Sequence, residues 1–121
     1  MSGGAAPRTA RPLVVFVDVD DTLVRSYGTK RIPMTEVVDH VRKVSAQGAV
    51  LYCWSSGGAE YAKQSAVELG LEECFVGFLP KPHVMIDDQP AAEWKRFVHV
   101  GPWSCSSMDV AEYRRTTGVE P

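Results

Sequence analysis

The run Leu13-Val14-Val15-Phe16-Val17 passes directly into Asp18-Val19-Asp20-Asp21-Thr22, and no other segment constrains the fold as sharply. A short apolar run rich in β-branched residues predicts a buried strand. Carboxylates cannot sit in the middle of such a strand, because an unpaired buried charge is very costly. They must emerge at its C-terminal end, which in open α/β sheets is the edge where ligands bind. The period of two puts Asp18 and Asp20 on the same side. Acids that close repel each other unless a cation or a shared proton holds them.

Strand-like and helix-like segments alternate along the rest of the chain. A polar stretch, Asp21 to Pro33, has a turn at Gly28-Thr29 and the size of a small hairpin or flap. Val37, Val38, Val41 and Val44 share one face of a helix over about Thr35–Gln47, with Thr35 as N-cap and Gly48 as stop. His40 falls on the polar face, where solvent is expected. Ala49–Trp54 predicts a second strand ending in Ser55-Ser56-Gly57-Gly58, then a helix over about Ala59–Leu69. Phe75–Leu79, Val84–Ile86 and Phe97–Val100 predict three more strands. Pro90–Arg96 and Met108–Thr116 predict two more helices. The alternation implies a single α/β domain over residues 12–121. Its expected form is a three-layer α/β/α sandwich around a Rossmann-like, mainly parallel five-stranded sheet without a cap domain. Residues 1–11, rich in Gly, Ala, Pro and Arg, read as a flexible tail without the apolar core of a signal peptide.

A chain of 121 residues supports one core. The net charge of −2 does not argue for nucleic acid as a partner, although it leaves that open. No apolar stretch is long enough to span a membrane. The three cysteines, Cys53, Cys74 and Cys105, are odd in number and lack C-x-x-C spacing. They read as reduced thiols of a cytoplasmic protein.

In a parallel sheet the strand ends gather Asp18, Asp20, Ser55, Lys81, Asp87 and Asp88 on one edge. A carboxylate can attack a phosphoryl group, and a second acid can protonate the leaving oxygen and then activate water. A lysine, a hydroxyl and backbone N–H groups can hold the phosphoryl oxygens. Mg²⁺ needs only one or two carboxylates, because it keeps several waters.

Asp18-Val19-Asp20-Asp21-Thr22 after a strand, Trp54-Ser55 at a second strand end, Lys81, and the pair Asp87-Asp88 occur in that order. With these four motifs the chain resembles the haloacid dehalogenase superfamily of aspartyl-phosphate-forming phosphatases, over about Leu13 to Pro102. The resemblance implies Asp18 as nucleophile and metal ligand, and Asp20 as general acid/base with its carbonyl on the metal. It implies Thr22, Ser55, Ser56 and Lys81 around the phosphoryl oxygens, and Asp87 and Asp88 as further Mg²⁺ ligands. An Asp two residues after the nucleophile goes with phosphatases and phosphomutases. The chain departs from the pattern at Asp21, where many relatives have Gly, and in the six-residue step from Lys81 to Asp87.

The gap from Thr22 to Pro33 is too short for a cap domain. The site is therefore expected to be open, with flap residues Arg25, Tyr27, Lys30 and Arg31 available to a substrate. An open site accepts phosphate on a small molecule or a macromolecular end, or takes a second subunit as its lid, so a homo-oligomer is allowed. The alternative is a non-catalytic relative that binds a phosphorylated ligand or a protein partner. A response-regulator receiver domain would carry its phosphorylated Asp on a middle strand, and here that strand ends in Ser55.

Overall fold

The computed structural model describes residues 11–120. Residues 1–10 of the expected tail lie outside the described residues. Strand β1 (Val14–Asp18) is followed by the strands β2 (Val24–Tyr27) and β3 (Lys30–Pro33), which pair as an antiparallel hairpin. Helix α1 (Thr35–Ala46), β4 (Val50–Ser55), α2 (Ala59–Glu68), β5 (Gly77–Pro80) and α3 (Val110–Thr117) complete the regular elements, with three single-turn 3₁₀ segments in the connections.

The expected three-layer sandwich around a Rossmann-like, five-stranded sheet is corrected. The main sheet has three parallel strands in the order β1-β4-β5, and the second sheet is the two-stranded β2-β3 hairpin. Neither Val84–Ile86 nor Phe97–Val100 forms a strand. Connection length explains the first. Strand β5 ends at Pro80 on the C-terminal edge, where Ser55 pairs with Pro80. A parallel neighbour must start at the opposite edge, and such a crossover takes about a dozen residues or more. Lys81-Pro82-His83 spans at most about 10 Å. Val84 and Ile86 accordingly stand in solvent, 78% and 97% exposed. The helix expected at Pro90–Arg96 contracts to the single turn Ala91–Glu93.

Burial alternates along β4, where Leu51, Cys53 and Ser55 point into the core. Leu51 and Cys53 are fully buried beside Val17, Leu23, Val41, Val44, Ala62, Ala66 and Leu71. Helix α2 packs on β4 and β5. The valine face of α1 enters the same core. The residue before α1 is Met34, so Thr35 is not its N-cap, and no side chain caps the helix. Among the described residues, strand β1 pairs only with β4. A groove of about 810 Å³ is lined by residues of β1, by Phe97–Val100, and by Asp18, Thr22 and Lys81. No helix among the described residues is long and apolar enough to cross a membrane.

His40 is buried rather than solvated. Its Nε2 lies 2.7 Å from the Tyr113 hydroxyl, joining α1 to α3, and its Nδ1 has no partner among the described residues. Burial, with the Lys43 charge in second place, lowers the His40 pKa from 6.5. Burial pushes Tyr113 up to about 12. Below the ordinary histidine value the unfolded chain therefore binds more protons at this position than the folded one, and stability is lost as pH falls. Urea midpoints should drop between about pH 7 and about pH 5, and His40→Gln should reduce that drop. An unchanged pH dependence in His40→Gln would remove this group from the acid response.

Candidate active site

The C-terminal edge of the three-stranded sheet collects most of the polar residues singled out above. Asp18 closes β1 opposite Trp54 of β4. Its Oδ1 lies 3.1 Å from Lys81 Nζ, and its Oδ2 accepts a hydrogen bond of 3.2 Å from the Thr22 hydroxyl. The Asp18 and Lys81 side chains are 29% and 35% exposed, so the pair is open to a ligand. Lys81 is held twice. Its N–H donates to the Ser55 carbonyl at 2.9 Å, and its ammonium lies 5.8 Å from the Trp54 ring centroid, within cation–π range. The short step from β5 thus delivers the lysine at the end of the strand without an intervening helix.

The turn after β1 explains the departure at Asp21. Asp21 has φ 61, the left-handed region where Gly carries no Cβ penalty and Asp is among the tolerated residues. Its N–H donates to the Val24 carbonyl at 2.7 Å, and the Val19 carbonyl accepts from Leu23 at 2.8 Å. This tight turn places Thr22 beside Asp18 and leaves Asp20 exposed. Asp20 Oδ1 accepts a 2.6 Å hydrogen bond from the Tyr61 hydroxyl.

Ser55 is 1% exposed, and its Oγ accepts from the Gly57 N–H at 3.0 Å. It shapes the turn into α2. Ser56 is exposed. Below Asp18, burial and then the Asp18 charge push the Cys53 thiol up to about 12, so it is an unreactive core filler. The cysteines are free, with Cys53 and Cys105 buried and Cys74 half-buried.

Asp87 and Asp88 do not join this cluster. Both are exposed on the loop after β5. Asp87 Oδ1 accepts from the Gln89 N–H at 2.9 Å, and that bond, ahead of smaller effects of Asp88 and Trp94, holds its carboxyl below the ordinary value. No three His, Cys, Asp or Glu side chains gather as a metal cluster among the described residues. The missing strand is the physical cause, since Val84–Ile86 was to carry the pair to the edge. The oxygen donors present at the strand end are Asp18 and Asp20. They fit Mg²⁺ in part, as hard ligands for an ion that retains water.

Arg31 does not face a substrate as the flap reading expected. Its guanidinium reaches α2, donating to the Tyr61 hydroxyl at 2.6 Å and to Ser65 Oγ at 2.9 Å, and pairing with Glu68 at 3.2 Å. Sequence reasoning did not single out Tyr61. The available signal was Gly57-Gly58 four and three residues ahead of it, because a Cβ at Gly57 would lie 2.9 Å from the Tyr61 ring.

A family model described as "Protein of unknown function (DUF705)" matches residues 5–100. The chain belongs to this family. The match covers β1, the hairpin, α1, β4, α2, β5 and the loop with Asp87 and Asp88. No curated protein and no solved structure matches the chain.

Proposed function

We propose that the protein is a Mg²⁺-dependent phosphatase of the haloacid dehalogenase type, acting on phosphate monoesters with Asp18 as nucleophile. The observation that carries this reading is Asp18 at the end of β1, open to solvent, with Lys81 Nζ at 3.1 Å and the Thr22 hydroxyl at 3.2 Å. These donors orient the carboxylate, and they offer positive charge and an O–H to phosphoryl oxygens that approach it. Asp18 attacks phosphorus and the ester oxygen departs with a proton from Asp20. Asp20 then takes a proton from water, which attacks the aspartyl phosphate and releases phosphate, restoring Asp18. Mg²⁺, held by Asp18 and Asp20, would supply charge neutralisation for the phosphoryl oxygens. The exposed position of Asp87 and Asp88 favours a second reading, a non-catalytic domain that binds a phosphorylated ligand.

Phosphate release from a panel of phosphorylated metabolites and phosphopeptides separates the two. The phosphatase reading expects release that needs Mg²⁺ and stops with EDTA, and a fall of about 10²-fold or more in Lys81→Met. Ligand binding without release from any member would replace it with the second reading.

A further inference from the structure

The Tyr61 hydroxyl has one proton and two close partners. Arg31 Nη1 is 2.6 Å away and Asp20 Oδ1 is also 2.6 Å away. A guanidinium has donors and no acceptor. The hydroxyl therefore accepts from Arg31 and must spend its own proton on Asp20. That fixes Oδ1 of Asp20 as the acceptor of this bond and leaves Oδ2 as its second oxygen. The arrangement is braced on each side. Arg31 is anchored to Ser65 and Glu68, its guanidinium lies 5.3 Å from the Tyr61 ring centroid, and the ring packs where Gly57 has no Cβ.

We infer that Tyr61, supported by Arg31 from the β2-β3 hairpin, is the positioning residue for Asp20, holding Oδ1 so that Oδ2 is the oxygen left to meet the leaving group. This rests on the phosphatase reading above and adds a residue from α2 to it. The hairpin is already tied to α2 by Arg31–Glu68 and Arg31–Ser65, so the Tyr61–Asp20 bond is not needed to hold the flap. Its consequence falls on proton delivery to the leaving oxygen. An aryl phosphate with an acidic leaving group needs little protonation, whereas an alkyl phosphate depends on it.

The test is Tyr61→Phe in the full chain, with Gly57→Ala as a second variant that displaces the ring and keeps its hydroxyl. With a simple alkyl phosphate, kcat/KM, which reports the steps up to departure of the ester oxygen, should fall by about tenfold, and with p-nitrophenyl phosphate it should change by less than about twofold. In the metal-free protein the carboxyl ¹³C resonance of Asp20 should move in both variants while that of Asp18 stays. Equal losses of kcat/KM on both esters, or an Asp20 resonance that does not respond, would overturn the inference. If the parent protein releases phosphate from neither ester, the phosphatase reading fails, and the Asp20 resonance alone decides whether Tyr61 orients that carboxyl.

Discussion

Asp18→Asn is expected to release phosphate at less than about a thousandth of the parent rate. The amide keeps the shape of the side chain and its place at the end of β1, so β1 and β4 should stay paired. It loses the nucleophilic oxygen. It also loses the charge that pairs with Lys81 at 3.1 Å. That pair is partly exposed, so its loss should alter stability by less than about 1 kcal/mol. Chemistry and folding are thereby separated: phosphate release collapses while the urea midpoint scarcely moves. Mass spectrometry of the parent protein with substrate should find an acid-stable, base-labile phosphoryl adduct on the peptide containing Asp18, absent from Asp18→Asn. Phosphate release that survives in Asp18→Asn would remove this residue from the nucleophile's role.

The largest effect on folding is expected at Leu51. It lies in the central strand of the three, with β1 on one side and β5 on the other, and its side chain is fully buried. Leu51→Ala should cost about 2–5 kcal/mol, because the lost transfer energy adds to a cavity that a strand between two neighbours closes poorly. A domain of this kind holds about 5–15 kcal/mol in total, so the melting temperature should fall by on the order of 10 °C. Val14→Ala is the matched control. Val14 is on the open edge of the sheet and 51% exposed, and its truncation should cost less than about 1 kcal/mol. Urea denaturation followed by circular dichroism measures both. Equal costs at Leu51 and Val14 would contradict the position of β4 at the centre of the sheet.

The local elements were legible because their signals are local. The β1 run, the valine face of α1 and the helix stop at Gly48 depend on periodicity and turn chemistry within a few residues. So does the Asp21–Pro33 hairpin, whose turn falls at Gly28 with φ 63. Of the candidate site, Asp18, Thr22 and Lys81 meet at the strand ends, because Asp18 closes β1, Lys81 directly follows β5, and the tight turn after β1 brings Thr22 back to Asp18. The reading of Val84–Ile86 as a strand failed on a different count. Three apolar residues have strand character, but a parallel strand also needs a crossover, and Lys81–His83 is too short to provide one. His40 failed because it lies three residues after Val37 and four before Val44, on the flank of the valine face rather than opposite it, and Tyr113 of α3 covers it there.

Sequence alone determined that carboxylates would crowd the end of the first strand, since apolar strand residues cannot bury them and the chain places them at once after the run. Only the tertiary structure decided which groups answer them. Lys81 and Thr22 come to Asp18, Tyr61 comes to Asp20, and Asp87 and Asp88 stay on an exposed loop. The reason is that a side chain's residue type and neighbours in the chain are local properties. Its partner across 41 residues, as between Asp20 and Tyr61, depends on how far each connection can reach and which faces pack together.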